Sequence, residues 1–310
     1  MANLENFRLV VFRAVAEQLS FRKAAEKLFL SQPAVSQQIK ALEEELGTQL
    51  IDRAGRRVRL TVAGSVLLDH ARQSSALLEQ ARDEIAALEG SFGGRLALGA
   101  STTIAQYLLP GVLGEFCRTH PRVRAQLTSG NTEHIVEAVE EGRVALGFIE
   151  GPPRSNSVVV TPFLRDELVL IAPINRAWAK TKELTVAGLA ELPLLMREHG
   201  SGTRRIVEMA LERKGLRTGA LRIAMELDAT EAIKSAVEAG VGAGFVSRCA
   251  IAKDLRLGKS FRIVPVAGLR VERDLLLVVP CGPELRGVAQ EFRRFLLEQV
   301  SQRTRRARKQ

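Results

Sequence analysis

Apolar residues follow helical spacing through the first part of the chain and predict three helices. The first has one apolar face, formed by Leu4, Phe7, Val10, Val11, Ala14 and Val15. Ser20 is placed to cap a second, short helix and Ser31 a third, because serine oxygens accept the free N–H groups at helix starts. Pro33 falls in the first turn of the third helix, where a missing N–H costs nothing. This order is typical of a helix-turn-helix, whose second helix enters the major groove of DNA.

The third predicted helix separates into two faces. Val35, Ile39, Leu42 and Leu46 lie along one side. The opposite side carries short hydrogen-bonding side chains that can read base edges, as glutamine does with adenine. The DNA-contacting residues predicted on this helix and its cap are Ser31, Gln32, Pro33, Ser36, Gln37 and Lys40. On periodicity alone, a three-helix bundle without a DNA role stays open as the alternative.

Basic residues crowd the segment that follows. Residues 50–60 are typical of a small hairpin, and its arginines are Arg53, Arg56, Arg57 and Arg59. Guanidinium groups beside a reading helix favour the phosphate backbone, so we predict that Arg53 and Arg56 contact DNA. The acidic run at 43–45 is expected to face away from it. The whole chain has 45 lysines and arginines against 35 acidic residues, a net charge of +10, which suits a polyanionic partner.

A long helix is predicted from Thr61 to about Glu89, and the glycines at 90, 93 and 94 end it. At 1.5 Å per residue it would be about 43 Å long. The residues that recur along it at alternating spacings of three and four are too polar for a strong coiled coil. Pairing with a partner helix would therefore need further contacts elsewhere in the protein. The predicted divisions are a DNA-binding domain at 1–60, a linker helix at 61–92, a second domain at 93–302 and a basic tail at 303–310. The tail is expected to fray in solvent, with an auxiliary role in contacting phosphates as the alternative.

Strands and helices alternate from Arg95 onward, which predicts parallel or mixed sheets covered by helices. The predicted strands cover residues 96–100, 123–128, 144–149, 168–172, 194–197, 221–225, 242–246 and 275–279. The predicted helices cover residues 104–118, 133–141, 203–214, 229–239 and 284–300. Ligands in such sheets bind outside the carboxyl ends of the strands.

Three polar segments, at 101–103, 130–132 and 200–203, follow predicted strands and open predicted helices. If they converge, their hydroxyl and N–H groups form a cradle for a small anion; the alternative is three ordinary helix caps. A carboxylate at the end of the third strand is expected to accept a bond from a protonated ligand or to hold a hinge. The predicted effector-binding residues are Ser101, Thr102, Thr103, Asn131, Thr132, Glu150, Ser201, Gly202 and Thr203.

Residues 3–64 resemble the LysR-type transcriptional regulators. The resemblance rests on Ser20-Phe21, Ala24-Ala25, the run LFLSQPAVS at 28–36, Ile39, Leu42, Glu43, Leu46-Gly47, Arg53, Leu60-Thr61 and Ala63-Gly64. Ile51 stands where the family usually has phenylalanine, and we expect altered packing under the wing rather than lost DNA binding. The resemblance implies a multidomain fold: a winged helix-turn-helix and a long linker helix, then an α/β effector domain like a periplasmic binding protein.

The resemblance extends through the second domain. It implies one subdomain at 93–164 and 268–302, another at 165–267, a linker helix that dimerises, and a homodimer or homotetramer bound to double-stranded DNA. The stretches GASTTIAQYLLP, ALGFIEGPP, REHGSGTR and EAIKSAVEAGVGAGFVSR are similar to regulators of sulfur assimilation and carbon fixation. By that similarity a small anionic effector is expected, with sulfite or sulfate favoured and a small carboxylate or other metabolite as the alternative.

Other function classes find little support in the sequence. The glycines at 240, 242 and 244 precede a predicted strand instead of following one, which is the wrong order for a dinucleotide loop. The histidines and three cysteines lack metal-ligand spacing, so neither a metal nor a cofactor is expected, and no catalytic residue is predicted. The chain shows no signal peptide and no membrane span, so a cytoplasmic location is expected. A solute-binding protein without a DNA role is the distant alternative.

Overall fold

The structure is a computed structural model that describes residues 5–52, 58–88, 92–175, 178, 181–258, 261–282 and 284–307. The chain divides into two compact units, residues 1–92 with 141–143 and residues 93–140 with 144–310. We call them the N-terminal unit and the effector unit. No helix in the described ranges is long and apolar enough to cross a membrane.

The N-terminal unit contains the three predicted short helices, a two-stranded hairpin and a long helix. They are α1 (Phe7–Gln18), α2 (Phe21–Leu28), α3 (Gln32–Leu46), β1 (Ile51–Asp52), β2 (Arg59–Leu60) and α4 (Val62–Leu88). The predicted caps form: Ser20 Oγ accepts the Lys23 N–H at 3.3 Å, and Ser31 Oγ accepts the Ala34 N–H at 3.3 Å. The helices enclose a core that includes Ile51, which is 2% exposed, so the residue that departs from the family pattern is a core contact.

The effector unit is built on one nine-stranded sheet. Its strands are β3 (Gly94–Ser101), β4 (Val123–Gly130), β5 (Leu146–Glu150), β6 (Val158–Pro173), β7 (Leu194–Arg197), β8 (Ile223–Leu227), β9 (Ala243–Ser247), β10 (Phe261–Ile263) and β11 (Val271–Pro280). The order is β4-β3-β5-β11-β6-β9-β7-β8, with β10 paired to β6. Parallel pairs join β3 to β4 and β5, and β7 to β8 and β9, while β6 and β11 are antiparallel to their neighbours.

Helices cover the sheet. They are α5 (Thr102–Tyr107), α6 (Leu109–Thr119), α7 (Thr132–Glu140), α8 (Gly202–Glu212), α9 (Thr230–Glu238), α10 (Arg248–Arg256) and α11 (Gly287–Ala307), with short 3₁₀ turns at Ala187–Glu191 and Thr218–Ala220. We call β3, β4 and β5 with α5, α6 and α7 the first half of this unit, and β7, β8 and β9 with α8, α9 and α10 the second half. The long strands β6 and β11 pair with each other and reach from one half to the other.

The structure departs from the predicted elements in four places. The helix predicted at 104–118 is two helices, because Pro110 lies at the start of α6, where it cannot donate to a preceding turn. The strand predicted at 168–172 is the end of the 16-residue β6. Neither α10 nor β10 was predicted. The last helix begins at Gly287 and continues to Ala307, so residues 303–307 of the predicted frayed tail are helical, and residues 308–310 lie outside the described residues.

Candidate functional site

The outer face of α3 offers the polar side chains that the sequence predicts there. Ser31, Gln32, Pro33, Gln37 and Lys40 are exposed and Ser36 is half-buried. The opposite side of α3 is anchored in the core by Val35, Ile39 and Leu42. Leu46, predicted on that same side, is 48% exposed because the helix ends directly after it. The face is therefore available to a partner and carries hydrogen-bonding groups suited to base edges.

The acidic end of α3 fixes the start of the hairpin. Glu43 Oε1 accepts the N–H groups of Leu50 at 2.9 Å and Ile51 at 3.1 Å. Glu44 lies 3.6 Å from Lys40 Nζ, and Glu45 pairs with Arg8 at 2.5 Å. The acidic run is thus occupied by the unit's own amides and cations. Arg53 and Arg56, the predicted phosphate contacts, lie outside the described residues.

The predicted effector residues converge, and at their centre is the Glu150 carboxylate, which is 1% exposed. Glu150 Oε1 accepts the Ser101 hydroxyl at 2.8 Å and the Thr103 N–H at 3.2 Å. Glu150 Oε2 accepts the Thr203 hydroxyl at 2.6 Å and Arg273 Nη1 at 2.6 Å. Ser101, Thr103 and Thr203 therefore donate to a carboxylate of the chain itself. We call this set of five residues the Glu150 knot.

A second carboxylate extends the Glu150 knot along the long strands. Arg273, on β11, has no exposed side-chain surface and also pairs with Asp166 on β6, at 2.8 Å from Nε and 2.7 Å from Nη2. The other Asp166 oxygen accepts the Ser247 hydroxyl at 2.7 Å. Two carboxylates around one guanidinium leave a net negative charge, so the hydroxyl and N–H donors around Glu150 are needed to hold it.

The Glu150 carboxylate is held in its charged form. Burial raises its pKa, but the Arg273 guanidinium and the hydrogen bonds from Thr203, Ser101 and Thr103 outweigh burial and lower the pKa to about 2. Glu150 is thus ionised at neutral pH and accepts bonds without a proton of its own. The two roles predicted for Glu150, an acceptor for a protonated ligand or a group that holds a hinge, stay predictions; in the structure, donors of the chain itself surround its carboxylate.

A cavity of about 330 Å³ lies beside the Glu150 knot. It is lined by α7 along its whole length, by the first two turns of α8 with the residues just before them, and by the loop after β5. Three of the predicted effector-binding residues, Thr132, Ser201 and Gly202, line it. The Thr132 hydroxyl is buried and has no hydrogen-bond partner among the described residues. The other residues that line the cavity include Arg154, His199, Arg204, Arg205 and four glutamates, at positions 133, 137, 140 and 208.

The cations of this cavity differ in how they are paired. Arg154 pairs with Glu133 at 3.1 Å, and Arg204 pairs with Glu208 and Glu226 at 2.8 and 2.5 Å. Arg205 donates to the Pro152 carbonyl at 3.0 Å and pairs with no carboxylate in the described part of the chain. Arg205 is therefore the cation that an acidic ligand in the cavity can reach without displacing a carboxylate.

Two of the predicted effector-binding residues, Asn131 and Thr102, belong neither to the Glu150 knot nor to the lining of the cavity. Asn131 caps α7, since its Oδ1 accepts the His134 N–H at 3.0 Å, and its Nδ2 donates to the His199 carbonyl at 3.4 Å. The Thr102 hydroxyl is buried without a hydrogen-bond partner among the described residues, but it does not line the cavity. The nine predicted residues thus divide between the Glu150 knot, the cavity and the segments that connect them.

Several residues that complete this region are not predicted from the sequence. Asp166 and Arg273 are each the middle residue of three consecutive charged residues, 165–167 on β6 and 272–274 on β11, so nothing in the sequence separates them from their exposed neighbours. A contact between the halves, in which the Tyr107 hydroxyl donates to Glu231, is not predicted either. Lys234 Nζ pairs with that glutamate at 2.7 Å and with Asp254 at 2.5 Å. These residues have only helical spacing in the sequence, and their proximity depends on the tertiary fold.

Comparison with known protein families gives two matches that together span most of the chain. Residues 7–65 match the bacterial regulatory helix-turn-helix protein model of the lysR family, and residues 89–301 match the LysR substrate binding domain. The match at 7–65 argues against a solute-binding protein without a DNA role.

Individual proteins give the same result. A probable RuBisCO transcriptional regulator of Trichormus variabilis is 35% identical over 297 residues, which cover 95% of this chain and 88% of the relative. The HTH-type transcriptional activator CmpR of Synechocystis is 34% identical over 296 residues, 96% of each chain. The structure of the Synechocystis CcmR regulatory domain in complex with 2-PG has a TM-score of 0.61 and 27% identity, and covers 67% of this chain and 97% of that one. The carbon-fixation part of the predicted resemblance is thereby confirmed.

Proposed function

This chain belongs to the LysR family of bacterial transcriptional regulators, and we propose that an anionic metabolite in the cavity beside Thr132 controls how the N-terminal unit binds its operator. The observation that carries the proposal is the cavity itself. It includes residues that follow the carboxyl ends of strands, where α/β sheets bind ligands, and it offers the Arg205 guanidinium. The Thr132 hydroxyl lies buried in its wall with no partner among the described residues.

For the DNA side, we propose that the exposed face of α3 reads base edges while the hairpin contacts phosphates. Gln37 and Ser36 would read bases, with Gln32 and Pro33 at the start of the helix and Ser31 and Lys40 at the flanking backbone. Arg53 and Arg56 would add sequence-independent affinity. We propose a cytoplasmic homodimer or homotetramer, because paired reading helices suit a two-fold-related operator.

The size of the cavity and the occupant of the Glu150 knot bear on the class of effector. A volume of about 330 Å³ is at the lower end of the roughly 300–1,000 Å³ typical of small-molecule sites and is more than one tetrahedral oxyanion needs. Three hydroxyl and N–H donors that would have bound sulfate are taken by Glu150. These features favour a carboxylate-containing or phosphorylated metabolite over sulfite or sulfate. The structure of the CcmR regulatory domain in complex with 2-PG supports the same choice.

The control of DNA binding then follows from differential affinity. An effector shifts the regulator between states only by as much as it binds one state more tightly than the other. By the same linkage, operator DNA must change the affinity for the effector by the same factor. Both affinities are measurable on the full chain.

The test is a titration of the full chain with 2-PG, sulfite and sulfate in separate experiments. Binding is measured by calorimetry or by the change in melting temperature. We expect saturable binding of 2-PG and none of sulfite or sulfate. Arg205→Gln is expected to weaken 2-PG binding about tenfold or more, because a charge-assisted hydrogen bond contributes about 1.5–3 kcal/mol. Arg213→Gln, an exposed arginine at the end of the same helix that does not line the cavity, is the matched control.

Three outcomes would contradict the proposal. Equal 2-PG affinity in the Arg205 and Arg213 variants would remove the cavity as the binding site. Tight, saturable sulfate binding would restore the oxyanion alternative. An unchanged operator affinity at saturating effector would show that the bound ligand does not control DNA binding.

A further inference from the structure

The Glu150 knot joins both halves of the effector unit around one buried anion. Ser101 and Thr103 come from the first half, Thr203 comes from the start of α8 in the second half, and Arg273 comes from β11. The four donors point at one carboxylate within 2.6–3.2 Å, which is the geometry of a bound carboxylate ligand. The occupant in this protein is a side chain.

We propose that the Glu150 carboxylate is a built-in anion, which fills a carboxylate site formed by both halves of the effector unit and keeps external anions out of it. This inference does not depend on the identity of the effector, and it requires only that the effector binds outside the Glu150 knot, as in the proposed cavity. It assigns Glu150 as a positioning and specificity-determining residue: it holds α8 against the end of β3, and it directs external anions to other sites.

The surroundings of Glu150 support an occupied anion site rather than an ordinary ion pair. Arg273 keeps a second carboxylate partner, Asp166, so the guanidinium would be neutralised without Glu150. The two hydroxyls and the N–H would in that case remain as buried donors, each of which costs free energy when unsatisfied. Glu150 satisfies them all, and its lowered pKa of about 2 agrees with an anion that is strongly stabilised there.

The backbone around Glu150 fixes the position of the carboxylate. A Cβ placed on Gly202 would lie 1.6 Å from the Glu150 carbonyl oxygen, so α8 packs directly against the end of β5. The side chain of Glu150 therefore enters the site from a fixed backbone position, which reduces the entropy lost on binding. A free carboxylate would have to bind without that advantage, so the site selects Glu150 over an external competitor.

Chemical rescue tests this inference in the full chain. Glu150→Ala removes the γ-methylene and the carboxylate, which together have the shape of acetate. We expect this variant to melt about 10 °C below the wild type, because a buried ion pair and two hydroxyl contacts are lost. Acetate at about ten times its dissociation constant is expected to raise the melting temperature of the variant by about 4 °C.

Three comparisons isolate the anion. Acetamide, a neutral molecule of the same shape, should not stabilise Glu150→Ala at the same concentration and ionic strength. Glu150→Gln should be destabilised and should not respond to acetate, because the amide fills the site. Glu272→Ala removes an exposed carboxylate from the same strand as Arg273 and should behave like the wild type, with no acetate response.

The result that overturns the inference is an acetate response of Glu150→Ala no larger than its acetamide response or than the response of Glu272→Ala. If Glu150→Ala does not fold in plain buffer, it is refolded in acetate and, in parallel, in acetamide. Recovery in acetate alone supports the inference, and equal recovery or equal failure contradicts it. Because neither 2-PG nor DNA is present, these outcomes are separate from those that test the effector cavity.

Discussion

The pKa of Glu150 makes the stability of the effector unit depend on pH in a way that one substitution should abolish. The carboxylate has a pKa of about 2 in the folded protein against an ordinary value of 4.5. Because the folded pKa is lowered, its contribution to stability is fully present above about pH 5 and is lost as the pH falls toward 2. At about 1.4 kcal/mol per pH unit, that contribution is about 3 kcal/mol.

Glu150→Gln removes the charge at every pH and keeps the size of the side chain. At neutral pH the variant should be less stable by about 3 kcal/mol, at the lower end of the cost of breaking a buried ion pair, because Arg273 keeps Asp166. The difference between wild type and variant should shrink toward zero as the pH falls from about 5 to about 2, because the wild-type carboxyl then becomes protonated.

Urea unfolding of the full chain at a series of pH values measures this difference. The chain has one tryptophan, Trp178, which is buried in a hydrophobic cluster of the effector unit, so its fluorescence reports the unfolding of that unit. Glu272→Gln is the control, because Glu272 pairs with Arg270 at the surface. The difference in stability between the wild type and this variant should be small and independent of pH. A difference for Glu150→Gln that stays constant from pH 7 to pH 3 would refute the reasoning.

Three further predictions concern the backbone and the DNA-binding surface. Gly202→Ala should destabilise the effector unit by about 1–3 kcal/mol, because its Cβ would overlap the Glu150 carbonyl and the backbone must move; an unchanged melting temperature would contradict that packing. Glu43→Ala should speed hydrogen exchange of the first two amides of the hairpin by about tenfold, since both lose their acceptor. Gln37→Ala should reduce discrimination between operator sequences, whereas Arg53→Ala should weaken binding to all sequences and lower the salt slope by about one in titrations at several salt concentrations.

Local sequence rules account well for the N-terminal unit. The serine caps, the proline in the first turn of α3 and the buried side of that helix depend on residues a few positions apart, and all appear in the structure. The position at which the hairpin starts could also be predicted from the sequence. The hydrogen bonds by which Glu43 fixes that position could not. Its two amide partners lie seven and eight residues away, beyond the helix end, so helical spacing carries no sign of the contact.

The effector site could be predicted only in part, because it is assembled from distant segments. The alternation of strands and helices placed polar groups at strand ends, and these ends do converge. The central carboxylate is held by Arg273, which lies 123 residues further along the chain. Whether donors at a strand end receive an external anion or a carboxylate of the chain depends on which side chain reaches them. The rules for helix caps and strand ends predict which groups donate hydrogen bonds at such a site. They do not predict which anion accepts those bonds.

The cavity and the Glu150 knot share the first turn of α8, and this fixes how a ligand can act. Ser201 and Gly202 line the cavity, and the next residue, Thr203, donates to Glu150. Close packing between Gly202 and the Glu150 carbonyl prevents this turn from moving toward β5. A ligand that displaces the turn must therefore move it away and lengthen the bond from Thr203 to Glu150. One that fits without displacement leaves the bond intact and stabilises the arrangement already present. The two cases predict opposite effects on the stability of the Glu150 knot, and a ligand controls the protein only through that difference.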